Sequence, residues 1–265
     1  MLEERTLAIV LRARPHGESD KIVTFVTRDW GKVTGIAKGA KRSHRRFVNA
    51  LEPFAHVRLR FRPGRANGLA FIFGCDLIQS FQAPSCDLQR FALASYTAEL
   101  VDAMVIGQES GQEIYTLLLD GLTIIEEETT WPPLFLPAFE LLLLTYVGYE
   151  PNLTACQHCG ASLPEAGCIT AFSLSLLGLL CSRCREQGGG TLMLSADTLH
   201  LLHQPKRVGL KALLATQASP RVCHEVRALV ARLLTHHLPR PLKSLAFLKQ
   251  AGLSGVSSID AWQGE

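Results

Sequence analysis

The chain has 265 residues, of which 47% are hydrophobic and 19% are charged, so it can bury a large core and is not intrinsically disordered. Its eight cysteines are too few for a disulfide scaffold, and residues 1–6 lack the basic start and apolar run of a secretory signal. The net charge of +3 divides into +8 for residues 1–80, −10 for residues 81–150 and +5 for the remainder. We therefore expect reduced thiols and separate modules, with the polyanion-binding surface on the first.

Residues 1–80 show the two-residue hydrophobic period of β-strands, interrupted by Gly, Asp and Pro turn signals. The predicted strands cover residues 6–14, 21–27, 32–38, 54–62 and 69–77, and the second and third form a hairpin. In the fourth, the alternation predicts one core face and one cationic face. The core face would hold Val57, Leu59 and Phe61, and the other face His56, Arg58, Arg60 and Arg62. Five short strands predict a small closed barrel of OB type, although an SH3-like barrel shows the same pattern.

Beyond residue 80 the hydrophobic period lengthens to about 3.6 residues, which is typical of helices. Helices are predicted at residues 88–105, 114–125, 134–147, 196–203 and 220–237. Ser85 or Asp87 would cap the first, while Ser195 and Ser219 would cap the last two. The third is apolar on most sides, so we expect it at the centre of a helical bundle.

Two C-x2-C motifs, separated by 21 residues, are the strongest local signal in the chain. They can present four thiolates in a tetrahedron, which Zn²⁺ favours in closed structural sites. The predicted ligands are Cys156, Cys159, Cys181 and Cys184. Unliganded thiols and a redox-active pair are the alternatives, and Cys168 or His158 could replace a ligand. Because four cysteines leave no coordination position open, we expect one structural zinc ion.

A second signal is the run of five permanent cations within residues 38–46, directly after the third predicted strand. Lys and Arg neutralise phosphates, and Gly39 lets the backbone approach a ligand. With the arginines of the fourth strand, this run predicts a nucleic-acid-binding surface, whereas the alternative is a solvated loop and strand face. The predicted nucleic-acid contacts, which the resemblance described below assigns to DNA, are Lys38, Lys41, Arg42, Arg45, Arg46, Arg58, Arg60 and Arg62. Phe47 and Trp30 are candidates for base stacking.

These signals predict an α+β protein: a five-stranded OB-type β-barrel, followed by an α-helical domain that carries an inserted four-cysteine zinc element. Residues 1–80 would form the DNA-binding barrel, and residues 81–150 with 191–250 the helical domain. The zinc-binding insertion would occupy residues 151–190. Residues 251–265 have little apolar periodicity and are expected to form a loose tail.

Three further blocks of sequence occur in a characteristic order. The first comprises residues 17–23 (GESDKIV), 31–33 (GKV) and 37–43 (AKGAKRS), the second is 148–153 (GYEPNL) leading into the cysteine motifs, and the third is 238–244 (LPRPLKS). Together they resemble the bacterial RecO family of recombination-repair proteins. The chain departs from that family's pattern at Leu177, where a second glycine is expected.

The resemblance implies a non-enzymatic protein that binds single- and double-stranded DNA and anneals complementary strands. With the ring-forming partner RecR, such a protein helps RecA to replace single-strand-binding protein (SSB), whose acidic and apolar C-terminal tail it contacts. The candidate tail-binding residues in the later helices are Arg227, Arg232 and Lys243. The alternative is a zinc-ribbon module that binds RNA or a protein partner in transcription or translation.

Two features of the sequence limit the function further. No P-loop, G-x-S-x-G or H-E-x-x-H motif occurs, so we expect no enzymatic activity. The longest uncharged stretch, residues 166–182, contains cysteines, serines and glycines, so we expect no membrane contact. A protein of this kind would be cytoplasmic and nucleoid-associated.

Overall fold

The computed structural model describes residues 3–43, 45–64, 68–107, 110–163, 170–187, 190–204, 208–253 and 256–259. The chain divides into two units. The first, which we name the barrel unit, comprises Met1–Thr129 and Pro239–Gly252; the second, the knuckle unit, comprises Thr130–Leu238 and Leu253–Glu265. None of the helices in the described ranges has the length and hydropathy needed to cross a membrane.

Five strands of the barrel unit form a closed barrel. They are β1 (Glu4–His16), β2 (Asp20–Thr27), β3 (Gly31–Ala37), β4 (His56–Arg62) and β5 (Ala70–Gln79). Around the barrel their order is β1-β2-β3-β5-β4. Neighbouring strands are antiparallel, except that β3 and β5 pair in parallel through Gly35 with Ala70 and Ile36 with Phe71. This Greek-key closure confirms the predicted OB-type barrel and excludes the SH3-like alternative.

The barrel core follows from the alternation of apolar side chains along the strands. Phe25, Val57, Leu59, Phe61 and Ile72 are buried together inside it. Glycine is required at position 35, because a Cβ there would lie 2.5 Å from Ile72 Cδ1 and 2.8 Å from Ala70 O. The close approach of β3 and β5 therefore depends on a residue without a side chain.

Eight α-helices occur in the described ranges. They are α1 (Ala83–Cys86), α2 (Leu88–Met104), α3 (Gly111–Glu127), α4 (Phe135–Tyr146), α5 (Ala196–Leu202), α6 (Leu210–Leu214), α7 (Pro220–His237) and α8 (Lys243–Gln250). In the barrel unit, the Asp87 carboxylate caps α2 by accepting a hydrogen bond from Arg90 N at 2.8 Å. Glu99 on α2 accepts from Ser244 N at 2.8 Å and so ties α8 to α2, while α3 packs against β1, β2 and β3.

His56 follows the alternation predicted for β4 but is buried on the outer face. The sequence pattern places it on the cationic face, but its side chain is only 8% exposed. Its Nε2 atom lies 2.6 Å from the Tyr115 hydroxyl on α3, and burial lowers the pKa of its imidazole. The predicted face is therefore correct, but the burial of His56 depends on Tyr115, 59 positions later, and the local pattern contains no sign of it.

In the knuckle unit, a small antiparallel sheet lies beside helices. Its strands are β6 (Thr170–Ser173), β7 (Gly178–Leu180) and β8 (Thr191–Leu194), in the order β7-β6-β8. All residues from 135 to 144 of α4 are buried, which agrees with the central position predicted for this helix. Helix α7 packs against α4, α5 and β8.

The stretch predicted to be a loose tail contains fixed contacts. Among its described residues, Ser257, Ser258 and Ile259 are buried. Ser258 N donates to both carboxylate oxygens of Glu140 on α4, at 3.3 Å each. The expectation of looseness therefore does not hold for residues 257–259, because a buried carboxylate needs N–H donors and this polar segment supplies one.

Glu225 on α7 organises the polar interior of the knuckle unit. Its carboxylate accepts hydrogen bonds from Ser195 N at 2.7 Å and Thr198 Oγ1 at 2.7 Å, at the start of α5, and from Arg221 Nε at 2.7 Å. Burial raises the pKa of Glu225, but these hydrogen bonds outweigh burial and lower the pKa to about 2. The ionised carboxylate is therefore part of the folded state.

We expect Glu225→Gln to lower the free energy of unfolding at pH 7 by on the order of 2–3 kcal/mol, because charge-assisted hydrogen bonds are lost. Since the folded-state pKa lies below the unfolded value, this stabilisation is present above about pH 4.5 and is lost as the pH falls towards 2. Urea unfolding between pH 7 and pH 3 measures it. The exposed Glu186→Gln control should match the wild type, and a wild-type advantage that stays constant with pH would contradict the assignment.

Candidate metal centre and cationic barrel face

Four cysteine sulfur atoms come together in the knuckle unit. The Sγ atoms of Cys156, Cys159, Cys181 and Cys184 all lie within 4.8 Å of one another. The Sγ atoms of Cys159 and Cys181 are 3.8 Å apart. A tetrahedral metal–sulfur set with bonds of about 2.3 Å has sulfur–sulfur edges of about 3.8 Å. The cluster therefore has the size needed to hold a metal ion.

Each C-x2-C motif is a tight turn, and the two turns are held together by the backbone. In the first, Gly160 N donates to Cys156 O at 2.8 Å; in the second, Cys184 N donates to Cys181 O at 3.0 Å. Gln157 N donates to Leu179 O at 2.8 Å and thereby joins the first turn to strand β7, which leads directly into Cys181. Strand β7 thus sets the distance between the two pairs of sulfurs.

The electrostatics of the cluster favour a bound cation. Burial raises the pKa of the Cys156 thiol, but backbone N–H groups of Cys181, Cys159 and His158 outweigh it and lower the pKa to about 6. Burial and the neighbouring thiols raise the pKa of Cys184 to about 12. Four thiolates repel one another at this distance, so a soft metal cation is the partner that lets all four ionise together.

His158 and Cys168 were the two residues that could replace a cysteine ligand, and only His158 lies within the described residues. His158 is exposed in the first turn and does not belong to the four-residue cluster within the described ranges. Cys168 lies outside the described residues. At the position where a glycine was expected, Leu177 has φ +52°, in the left-handed region that glycine favours. The β6–β7 turn thus has a glycine-like backbone conformation with a leucine in it.

The predicted basic run forms a largely exposed segment, described for residues 38–43 and 45–46, which we name the cationic loop. Gly39 takes φ +67°, and its N–H donates to the Asp20 carboxylate at 2.8 Å. This hydrogen bond, followed by one from Ser19, lowers the pKa of Asp20. Lys41 N and Nζ donate to Ser19 O at 2.9 Å and Gly17 O at 2.8 Å. The turn between β1 and β2 therefore fixes the start of the cationic loop.

The cationic loop meets the arginines of β4 at strand β5. The register places Arg62 opposite Phe71, and Arg60 opposite Gly74. A Cβ on Gly74 would lie 2.7 Å from Arg60 Nη2 and 3.4 Å from Arg46 O, so its absence lets both segments approach β5. Cys75 N donates to Arg46 O at 2.9 Å and holds the loop there. We name this surface, formed by the cationic loop and the outward residues of β4 and β5, the cationic barrel face.

The predicted DNA contacts are accessible and largely without acidic partners. Seven of the eight are exposed, and Arg60 is half-buried. Within the described part of the chain, the only ion pair made by these eight is Arg60 Nη1 with Glu3 Oε1, at 3.7 Å. Several other barrel cations are paired with acids: Arg12 Nε lies 3.0 Å from Asp102, and Lys21 Nζ lies 3.1 Å from Glu52. The available positive charge is therefore concentrated on the cationic barrel face.

The aromatic residues nominated for base stacking do not lie on that face. Phe47 is 5% exposed in the barrel core, and Trp30 packs edge-on against Phe61 with ring centroids 5.8 Å apart. The half-buried aromatics on the outer side are instead Phe71 and Phe73 of β5. Sequence reasoning missed them because this strand reads as continuously apolar. The sequence signal that identifies them is their two-residue spacing on either side of Ile72, which is buried.

The three residues predicted to bind a partner have different environments. In the knuckle unit, Arg227 Nη2 donates to Pro133 O at 3.2 Å and Arg232 Nε donates to Leu174 O at 3.1 Å. In the barrel unit, Lys243 is exposed and lines a groove of about 870 Å³. The groove has a row of edge-to-face phenylalanines, and its cations outnumber its acids. The aromatic residues are Phe54, Phe91 and Phe247, the cations Arg12, Lys32, Arg240 and Lys243, and the acids Glu99 and Asp102.

Fold and site together define a class of protein: an OB-type barrel with a cationic face, joined to helices and a four-cysteine element. Comparison with known families agrees with this class. The model of the recombination protein O N-terminal domain matches residues 1–81, and that of the recombination protein O C-terminal domain matches residues 86–246.

Three curated relatives are each named DNA repair protein RecO. The protein of Symbiobacterium thermophilum is 36% identical over 91% of this chain and 94% of its own length. That of an Anaeromyxobacter species is 36% identical over 92% and 95%, and that of Syntrophus aciditrophicus is 34% identical over 95% and 97%. The chain belongs to the RecO family of DNA repair proteins.

Proposed function

We propose that this protein binds single- and double-stranded DNA through the cationic barrel face and anneals complementary strands without a catalytic step. With RecR, it would promote the loading of RecA on SSB-coated DNA during repair and recombination. The observation that carries the proposal is the convergence at Gly74 of two basic segments that are separate in sequence. Membership of a DNA repair family supports DNA as the polyanion that this surface would bind.

Charge neutralisation explains how such a surface would promote annealing. Two complementary strands repel each other through their phosphates, and Lys and Arg side chains replace the counterions that otherwise screen them. Contacts to phosphate carry no sequence information, so any complementary pair can be held. The reaction forms only base pairs, and the protein needs no group that makes or breaks a covalent bond.

If about five phosphates are neutralised on a single strand, raising salt from roughly 50 to 200 mM should weaken binding by on the order of a hundredfold. The triple variant Lys38→Ala, Lys41→Ala, Arg42→Ala should reduce the slope of log affinity against log salt by about 2 and slow annealing. Fluorescence anisotropy and an assay with two complementary oligonucleotides, bare or SSB-coated, measure both. The control is Arg185→Ala, Lys211→Ala, Lys249→Ala. A flat salt response in the wild type would refute the proposal.

The same assay separates this proposal from the RNA- or protein-binding alternative. A zinc-ribbon module of transcription or translation would bind its ligand without accelerating the pairing of complementary DNA. Acceleration on SSB-coated strands supports the mediator function, since it requires access to DNA that is already occupied.

For the four-cysteine cluster we propose one structural Zn²⁺ per chain. The four sulfurs would fill a tetrahedral shell, so the ion would fix the two turns and the β6–β7 hairpin and leave no position for a reacting water. Its role would be to fold the knuckle unit, whose small sheet is short for independent stability.

Cys159→Ser should abolish stoichiometric zinc and lower the melting temperature, because metal binding and folding are coupled. The matched control is Cys223→Ser, which changes a half-buried cysteine of the same unit outside the cluster. Elemental analysis of purified protein should give close to one zinc per chain for the wild type and the control. A stoichiometry near zero in the wild type would exclude the site.

We propose that the groove at Lys243 takes the acidic and apolar C-terminal tail of SSB. The row of phenylalanines would receive the apolar side chains, and the excess of cations at the rim would receive the carboxylates. Arg227 and Arg232 stay candidates in the knuckle unit, although each already donates to a backbone carbonyl there.

Lys243→Glu should weaken binding of a synthetic tail peptide by roughly tenfold or more, because one rim contact changes from attraction to repulsion. Lys249→Glu, on the same helix but outside the groove lining, should bind as the wild type does. Calorimetric titration at low salt measures the affinities. Equal losses in both variants would assign the effect to general charge, and no wild-type binding would reject the groove.

A further inference from the structure

The outer side of β5 carries two neighbouring aromatic rings. Phe71 and Phe73 are half-buried and face outward. Ala70 and Ile72, which alternate with them along the strand, are buried in the barrel. The two ring centroids are 5.0 Å apart with an interplanar angle of 64°. We name Phe71 and Phe73 the aromatic pair. Its apolar area is not needed for the core, which is already filled from the other side of the strand.

Arginines surround the aromatic pair. The guanidinium of Arg62 lies over the Phe71 ring, 5.8 Å from its centroid. Arg60 reaches across Gly74, directly after Phe73, and its buried Nε has no hydrogen-bond partner among the described residues. The backbone of Arg46 adjoins the same strand through its contact with Cys75 N. Rings and cations thus alternate on one surface, as in proteins that bind single-stranded nucleic acids.

The register of β4 and β5 explains why Phe73 is presented outward at this point. A bulge between Arg60 and Phe61 leaves Phe73 without a direct partner on β4, since Phe61 pairs with Ile72 and Arg60 with Gly74. A bulge can re-aim a side chain away from the regular alternation of the strand. The missing side chain at Gly74 then leaves room for the Arg60 guanidinium beside Phe73.

We propose that the aromatic pair stacks with the bases of single-stranded DNA, while the neighbouring arginines bind its phosphates. The inference rests on the DNA binding proposed above and adds a distinction between strands. In a duplex the faces of the bases are stacked on one another and only their edges and the phosphates are accessible, so stacking on the aromatic pair discriminates in favour of single strands. As two strands pair, the bases leave the rings, and the annealed product is held by charge alone.

The test compares a thymidine oligonucleotide with an abasic oligonucleotide of the same length, which keeps the phosphates but lacks the bases. Wild-type protein should bind the thymidine strand more tightly. Phe71→Ala and Phe73→Ala should each weaken that binding by about tenfold, which is within the range for one lost base stack. Their affinities for the abasic strand and for duplex DNA, and the salt slope, should stay within about twofold of the wild type.

Further variants separate stacking from folding. Phe71→Leu with Phe73→Leu keeps apolar volume without a π-face and should bind the thymidine strand weakly, whereas Phe71→Tyr with Phe73→Tyr should bind it almost as the wild type does. Ile106→Ala, which changes an exposed apolar residue just after α2, serves as control, and thermal unfolding checks each variant.

The outcomes distinguish this inference from the function on which it rests. Equal wild-type affinity for thymidine and abasic strands, or full binding by the leucine variant, would overturn base stacking and leave phosphate binding intact. Loss of wild-type binding to both strands at low salt would overturn DNA binding by the barrel itself.

Discussion

The parallel pairing of β3 with β5 closes the barrel, and the position of the cationic face depends on it. The closure requires Gly35, since any Cβ there would collide with Ile72 and with the Ala70 carbonyl. Once Gly35 is opposite Ala70, the two-residue period fixes which side chains of β5 point outward. A slip by one residue would bury Phe71 and Phe73 and expose Ile72. One close backbone contact thereby determines the chemistry of the surface.

A second constraint holds the cationic loop against that surface. Five cations within nine residues repel one another, and a free loop would spread them into solvent. Asp20 accepts from Gly39 N at the start of the loop, and Arg46 O accepts from Cys75 N near its end. Because both ends are anchored by the backbone, less conformational entropy is lost when the loop binds a ligand.

A feature of this molecule can be predicted from the sequence when the residues that interact to form it lie close together in the chain. The barrel strands, the five predicted helices and the four cysteines follow from local periods and spacings, which one short segment contains in full, whereas the short helices α1, α6 and α8 were not predicted. The burial of His56 does not follow from such periods, because Tyr115 lies on a later helix. Local patterns also do not show that Phe47 is buried and Phe71 faces outward. Loop packing determines the burial of Phe47, and strand register determines the orientation of Phe71. Ser258 reaches Glu140 across 118 positions, which no local pattern reveals.

The acidic segment shows most clearly how composition and structure differ. Residues 81–150 carry a formal charge of −10, which suggests a surface that repels DNA. In the barrel unit, several of these carboxylates have internal uses: Glu126 accepts from Ala83 N at 2.9 Å, and Asp102 lies 3.0 Å from Arg12 and 3.6 Å from Lys32. Asp102 thereby neutralises cations on one side of the barrel, whereas among the cations of β4 and the cationic loop only Arg60 has an acidic partner, Glu3, in the described ranges. The acidic segment therefore increases the difference in charge between the two sides of the barrel. It neutralises cations on the side that does not carry the aromatic pair.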